Sequence, residues 1–343
     1  MENSRKLPSI DTAVRADNAA GDALVRAVTA CLERHVLPGQ RVAVGLSGGI
    51  DSVALLHILR EVNAANAAHS ACVLSALHIH HGISPHADQW DVFCRDYCAR
   101  LRVPYASVRV TVGVASQEGL EAAARRVRHA EYAAVDADWI MLAHQRDDQA
   151  ETLLFNLLRG SGVNGAAAMR EKNGRLLRPL LSVGRAEVER YARLHQLDWC
   201  EDESNADTRH SRNFLRQSIF PALTGRFPAA AKNLAAAAAR FAEAHALLGA
   251  LALVDLGDAA AKFPLELAKL RVLSEPRARN LLRHLLASHH VQIPSEARLR
   301  EALRQMLAAG ADRHPALVFG QHRRLRRSGW IYLEVVEGCA ASR

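Results

Sequence analysis

Between Arg41 and about Leu180, short apolar runs alternate with longer stretches in which apolar residues recur every three or four positions. That is the pattern of β-α-β units around a parallel sheet. Residues 41–46, 72–79, 105–112 and 139–143 predict strands, and 52–64, 87–101 and 120–136 predict the crossover helices between them,. A doubly wound α/β domain with a parallel sheet follows. In such sheets ligands bind beyond the carboxyl ends of the strands, so the loops after Leu46, Ile79 and Ala143 are where chemistry collects. Past Asp202 the pattern turns to Ala-rich and Leu-rich helices, with Leu299, Leu303, Met306 and Leu307 at helical spacing and Arg298, Arg300 and Arg304 facing elsewhere,. Residues 316–319 and 330–336 predict two strands of a closing hairpin around the run His322-Arg323-Arg324-Leu325-Arg326-Arg327.

The stretch 234–254 is the most membrane-like, but Arg240, Glu243 and His245 interrupt it and leave an apolar remnant too short to cross a bilayer,. The first twenty residues mix Arg5, Lys6 and Arg15 with Glu2, Asp11 and Asp17, which predicts no secretory or transit segment,. The six cysteines, Cys31, Cys72, Cys94, Cys98, Cys200 and Cys339, form no C-x-x-C, so neither a disulfide framework nor a zinc ribbon is expected,. A cytoplasmic protein with no membrane partner is the expectation. At 343 residues and 49% apolar composition the chain predicts two domains,. Charge separates them: residues 1–204 hold 23 Lys/Arg against 25 Asp/Glu, whereas 205–343 hold 21 against 11. The basic C-terminal part suits a phosphate-rich partner.

Ser47-Gly48-Gly49-Ile50-Asp51-Ser52 joins the first strand to an apolar helix. Two glycines let the backbone approach a phosphate, and helix-start N–H groups with the Ser47 and Ser52 hydroxyls donate to its oxygens. The loop has no lysine of the G-x-x-x-x-G-K-[ST] kind, which disfavours ordinary phosphoryl transfer. Asp51 beside a polyphosphate implies a bridging cation such as Mg2+. The loop resembles the S-G-G-x-D-S pyrophosphatase loop (PP-loop) of the N-type ATP pyrophosphatases, which cleave ATP between its α and β phosphates to adenylate an oxygen. The resemblance implies the adenine nucleotide α-hydrolase-like fold.

The other motifs narrow the family. His78-Ile79-His80-His81-Gly82-Ile83-Ser84 puts His78 and His80 on one strand face without a third metal ligand nearby, so a packed or nucleotide-contacting segment is expected there,. Asp148 and Glu151 share a helix face near its N-terminus, with Asp147 beside them, a pair suited to a cationic substrate, its amine or Mg2+,. These segments resemble the H-V-N-H-G-L-R and A-H-x-x-D-D-Q-x-E-T elements of the tRNA(Ile)-lysidine synthases, with His80 replacing Asn or Asp and Ser84 replacing Arg. Glu121, Ala124, Arg125 and Arg128 match E-x-x-A-R-x-x-R-Y, with His129 for Tyr. Arg159-Gly160-Ser161-Gly162 matches R-G-S-G, and Arg178-Pro179-Leu180-Leu181 matches R-P-L-L. Trp199, Asp202, Ser204, Asn205, Arg212, Asn213, Arg216 and Pro221 follow the order W-x-x-D-x-S-N, R-N-x-x-R and P. Members often carry a further small β-rich domain, and none is expected within this sequence.

The resemblance implies ligation of L-lysine to C2 of the wobble cytidine of tRNA(Ile) bearing CAU, through an adenylated base, with ATP giving AMP and pyrophosphate. In that reading Ser47, Gly48, Gly49, Ile50, Asp51, Ser52 and His78 bind ATP, and Asp51 holds Mg2+. Asp148 and Glu151 bind lysine and act catalytically with Asp51 and His144. Arg125, Arg128, Arg212, Asn213, Arg216, Arg323 and Arg324 face tRNA. Residues 1–205, with a core from about 38, form the catalytic domain, 206–224 a connecting helix, and 225–343 a basic tRNA-binding domain; a homodimer is left open. The alternatives are a PP-loop tRNA thiolase, which generally needs a cysteine pair absent here, a small-molecule amide synthetase, and a nucleotide-gated tRNA-binding module without catalysis.

Overall fold

The apolar run beginning at Arg41 becomes an inner strand of a six-stranded sheet in the computed structural model, which describes residues 10–65, 72–113, 120–203, 207–209, 211–257, 261–291, 293–309, 316–319 and 322–335. For 10–22, 120–122, 316–319, 322–326 and 335 the description covers the backbone alone. Ser204 and Asn205 lie outside the described residues, as do the side chains of Glu121, Arg323 and Arg324. The residues fall into two compact units, Met1–Ala242 and Glu243–Arg343.

In the first unit the strands are β1 (Arg41–Gly45), β2 (Val73–His80), β3 (Tyr105–Arg109), β4 (Trp139–Met141), β5 (Lys172–Asn173) and β6 (Leu176–Leu177), in sheet order β3-β2-β1-β4-β6-β5. All pairings are parallel except β5 with β6, and the register aligns Val44 with both Ala76 and Met141. The helices are α1 (Ile10–His35), α2 (Ile50–Ala65), α3 (Ala87–Leu101), α4 (Leu120–Ala134), α5 (Arg146–Leu158), α6 (Val163–Ala166) and α7 (Arg185–Leu194). Period-two alternation sorts the strand residues between two cores. Val42, Val44, Leu46, Leu74, Ala76, Met141 and Leu177 pack with residues of α1, α2, α3 and α7, while Ala43, Leu77, Ile140, Leu142 and Leu176 pack with Tyr132 of α4. Both faces are therefore covered, which explains why the strands read as nearly continuous apolar runs. The chain steps outward from β1 to β3 and returns to β4 on the other side of β1, so the switch point lies between the ends of β1 and β4,.

The expected connecting helix is three pieces: α8 (Ser211–Phe214), a π-helical turn at Leu215–Ile219, and α9 (Phe220–Arg226). Helix α10 (Ala230–Leu256) follows. It runs unbroken through Arg240, Glu243 and His245, and by length and composition it is long and apolar enough to span a bilayer. That corrects the expected short remnant, because Arg240, Glu243 and His245 do not interrupt a helix of good formers,. Ala238 packs with Leu153 and Ala166, and Ala252 and Leu256 belong to the core of the second unit.

In the second unit α11 (Leu267–Arg271), α12 (Glu275–Ser288) and α13 (Glu296–Ala308) surround a core that includes Leu281, Leu285, Leu303 and Met306. Leu299 is buried and Arg298, Arg300 and Arg304 are exposed, as their spacing predicts. Strands β7 (Leu265–Glu266), β8 (Ala316–Phe319), β9 (His322–Arg327) and β10 (Trp330–Val335) make an antiparallel sheet in the order β7-β10-β9-β8. The expected two-strand hairpin is thus corrected: the arginine-rich run is itself a strand. Ser328 and Gly329, both at positive φ, make the two-residue turn that pairs Arg327 with Trp330,.

Candidate active site

Where β1 ends, Gly48 adopts φ +87, a conformation natural to glycine, and α2 starts two residues later,. The loop is internally tied. Ser47 N and Ser52 Oγ lie 3.2 Å apart, Gly49 N donates to Ser47 Oγ at 3.3 Å, and Ser52 Oγ donates to Gly49 O at 2.9 Å. From outside, Cys200 N donates to Gly48 O at 2.9 Å, and His78 Nδ1 donates to Leu46 O at 2.9 Å. His78 is buried, and burial lowers its pKa, so the ring is neutral with Nε2 left as an acceptor,. Its packing partner is His80, ring centroids 6.3 Å apart, whose Nε2 reaches Asp88 at 3.1 Å. A packed or nucleotide-contacting segment was the expectation for this histidine run, and His78 and His80 are both buried.

Asp51 stands in the first turn of α2 with Oδ1 buried and without a partner. Burial, reinforced by the Asp148 carboxylate and offset by Arg185 and Arg216, pushes its pKa up to about 7. Asp148 and Glu151 project from the start of α5, as their spacing predicts. Gln145 caps that helix, its Oε1 accepting from Asp147 N at 2.7 Å while Asp148 Oδ2 accepts from Gln145 N at 3.0 Å,. The remaining acceptors converge on one cation. Arg216 Nε donates to Glu151 Oε1 at 2.8 Å, and its Nη2 donates to Glu151 Oε2 at 2.7 Å and to Asp148 Oδ1 at 2.9 Å. Burial raises both carboxyl pKa values against the lowering pull of Arg216, and bonding to Glu151 raises that of Arg216. Arg216 sits on the π-helical turn, a local irregularity that recurs at functional positions,.

The sequence therefore found both carboxylates but not their partner, since Arg216 was grouped with the tRNA-facing residues. Its neighbours in that group lie nearby: Asn213 Nδ2 donates to Asp207 O at 3.0 Å, and the Arg212 guanidinium lies 5.9 Å from the Phe155 ring centre. Arg185 was missed altogether. Its backbone N donates to Asp147 Oδ2 at 3.0 Å, and its charge acts on Asp51. Nothing in the spacing links residue 185 to the phosphate loop, because only the fold brings α7 beside α2. His144 precedes the α5 cap, with Nδ1 buried and unpartnered. Burial and then the charges of Arg178, Arg125, Arg212 and Arg128 bring its pKa down to about 3, so it is neutral.

Mg2+ keeps several waters and takes only one or two protein carboxylates beside a phosphate, so it needs no three-residue group. The buried unpartnered Asp51 Oδ1, facing repulsion from Asp148, fits that requirement. The loop offers donors for a polyphosphate, Asp51 a hard-cation ligand, and the Asp148–Glu151 pair a seat for a cation.

The sequence family described as PP-loop domain matches residues 22–223, and that described as TilS substrate binding domain matches residues 265–330. The chain is 47% identical to a tRNA(Ile)-lysidine synthase of Aromatoleum aromaticum over 280 residues, covering 80% of this chain and 65% of the relative. It is 43% identical to that of Nitrosomonas europaea over 290 residues, covering 82% and 62%. With that of Alkalilimnicola ehrlichii it shares 43% over 306 residues, covering 86% and 68%. The chain thus spans slightly less than two thirds of the first two relatives. Among solved structures, a U34-tRNA thiolase NcsA from Methanococcus maripaludis with its 4Fe-4S cluster superimposes with a TM-score of 0.55 at 18% identity, covering 66% of this chain and 80% of that one. That likeness concerns the fold alone.

Proposed function

The chain belongs to the tRNA(Ile)-lysidine synthase family, and on that premise we propose that it ligates L-lysine to C2 of the wobble cytidine of tRNA(Ile) with a CAU anticodon, cleaving ATP to AMP and pyrophosphate. The observation that carries this reading is the carboxylate pair Asp148–Glu151 gripping a cation within electrostatic reach of Asp51 at a phosphate-binding loop. Such a site joins nucleotide activation to the capture of a positively charged amine.

Backbone N–H groups at Gly48 and Gly49 and the Ser47 and Ser52 hydroxyls hold the polyphosphate, and His78 fixes the loop through Leu46 O,. Asp51 would hold Mg2+, which would supply charge neutralisation for the polyphosphate. The cytidine O2 attacks the α-phosphate, the bond to the β-phosphate oxygen breaks, and the base carries AMP. Asp148 and Glu151 receive the lysine ammonium in place of part of the Arg216 guanidinium and accept the proton it must lose. The free amine adds to C2, and AMP departs with the C2 oxygen. Neutral His144 borders the same cleft as a hydrogen-bonding partner for the base. Arg125, Arg128, Arg212 and Asn213, with Arg323 and Arg324 of the second unit, serve RNA contact in this reading, while Arg216 is held by the carboxylate pair. Residues 1–205 supply the catalysis, 206–224 the connection and 225–343 the further tRNA surface, in the cytoplasm. The described cysteines that border the loop, Cys94 and Cys200, have thiol pKa values raised first by burial, which suits packing better than sulfur chemistry,.

The test is transfer of radiolabelled lysine to CAU-bearing tRNA(Ile) with ATP and Mg2+. Wild type labels the RNA, whereas folded Asp51→Ala and Glu151→Ala fall at least 100-fold. ATP cleavage to AMP that depends on tRNA but transfers no lysine would overturn the ligase reading and leave the loop assignment intact.

A further inference from the structure

Every oxygen of the Asp148–Glu151 pair already holds a donor. Asp148 Oδ2 accepts from Gln145 N at 3.0 Å, and the other three accept from Arg216: Glu151 Oε1 from Nε at 2.8 Å, Glu151 Oε2 from Nη2 at 2.7 Å, and Asp148 Oδ1 from the same Nη2 at 2.9 Å. A guanidinium set as a fork on one carboxylate and bridged to a second makes hydrogen bonds of the strong, charge-assisted kind. It also shields what it binds. The Glu151 side chain is 10% exposed and that of Asp148 20%, whereas the Arg216 side chain is 33% exposed. A second cation therefore reaches Glu151 only by taking the place of this guanidinium.

The turn that carries Arg216 lets the side chain leave while the backbone stays. Leu215, 3% exposed, packs with Ala150 of α5 and Phe220 of α9, and Leu154, Phe155 and Ile219 close around them. Apolar contacts thus hold the π-helical turn on α5 independently of the ion pair. The three bonds to the carboxylates all lie at the end of a long side chain with several rotatable bonds,. Rotation about those bonds carries the guanidinium toward solvent and moves no helix.

We propose that Arg216 is a built-in competitor for the amine seat and so determines which cations enter it: its guanidinium stands in for the substrate's ammonium in the empty enzyme, and L-lysine binds by displacing it. A plain alkylammonium brings one point of attachment and does not offset the loss of three charge-assisted bonds. An amino acid brings, besides its side-chain ammonium, an α-ammonium and a carboxylate that bond to further groups of the site, so it displaces what a plain amine does not. The presence of a competitor costs the substrate affinity and gains selectivity, since every cation meets the same barrier and only one with additional handles overcomes it. Arg216 is thus a specificity-determining residue and not a ligand of the substrate. This inference rests on the reading of Asp148 and Glu151 as the lysine seat.

The experiment titrates L-lysine and n-butylamine calorimetrically into the full chain as wild type, R216K and R216M, without ATP or RNA. If the guanidinium leaves the seat open about a tenth of the time, its removal in R216M should tighten lysine binding about 10-fold. The same variant should bind n-butylamine measurably where wild type does not. R216K keeps the charge but gives up the fork, and should fall between the two. L-lysine should also raise the melting temperature of R216M more than that of wild type, a readout that requires the variant to be folded. Weaker lysine binding by the variants overturns the proposal, because Arg216 then holds the substrate. Equal affinity in all three proteins, or no lysine binding by any of them, overturns it as well. Should R216M not fold, R216K decides alone: tighter lysine binding supports the competitor, and equal or weaker binding overturns it. Lysine transfer to tRNA is read separately. Tighter binding by the variants without transfer by wild type supports the competitor and rejects the ligase reading, whereas transfer with unchanged affinities keeps the ligase reading and rejects the competitor.

Discussion

Asp51 keeps one oxygen buried without a partner while Asp148 presses on it, so its carboxyl titrates at about 7 in the folded protein. A raised carboxyl binds its proton more tightly folded than unfolded. Stability contributed by this group therefore falls as pH rises from its ordinary value of 3.8 to about 7, and the penalty persists above that,. Asp51→Asn should accordingly raise unfolding stability at pH 8 by on the order of 2–4 kcal/mol, with the gain vanishing near pH 4; denaturant titrations at both values check it. Mg2+ should raise the melting temperature of wild type at pH 8 but not that of Asp51→Asn, since the carboxylate is its proposed ligand. Arg216→Met acts in the opposite sense. It leaves Asp148 and Glu151 facing each other without their cation, and should destabilise by about 3 kcal/mol at pH 8. That loss shrinks on acidification as the carboxyls, already raised by burial, take up protons. A loss independent of pH would show that Arg216 contributes packing rather than charge.

Gly45 shows how an element, rather than a side chain, sets the site. A Cβ there would lie 2.8 Å from both Leu142 Cδ2 and Tyr132 Oη, two groups packed between the sheet and α4. Gly45→Ala should cost about 1–3 kcal/mol through overpacking and displace the end of β1 from which the loop springs, measurable as a lower melting temperature together with weaker ATP binding. The strands, the loop and the α5 acids were legible because each is local: alternation places β1 and β4, two glycines mark the turn, and a three-residue spacing puts Asp148 beside Glu151. Arg216 and Arg185 were not, because their roles depend on elements far apart in sequence that meet only when α7 and the π-helical turn close over the switch point. The arginine run of β9 was misread for a different reason. Charge reads as a solvated loop, yet antiparallel pairing with β8 and β10 and the Ser328-Gly329 turn make it a strand, whose backbone pairing is indifferent to what the side chains carry,.

At the scale of the whole chain, the charge distribution assigns the two parts different work. Residues 1–204 are close to neutral and 205–343 carry a large excess of Lys and Arg, so in the proposed function long-range attraction to RNA would originate in the C-terminal part. The arginines near His144 act only at contact, within a Debye length of about 8 Å at physiological salt. Encounter and seating should therefore separate experimentally. Raising salt from 50 to 200 mM should reduce tRNA affinity by several hundred-fold or more if about six phosphates are contacted, chiefly through slower association, while ATP affinity changes far less. Replacing exposed Arg298 and Arg300 of α13 with Gln should slow association a few-fold and leave dissociation unchanged, because exposed charge acts mainly through long-range attraction,. R128M should do the reverse, leaving association near wild type and speeding dissociation. Stopped-flow binding of the three proteins distinguishes these outcomes. If the Gln variants instead speed dissociation, α13 holds the RNA in the bound state, and the division between attraction at one end of the chain and seating at the other is wrong.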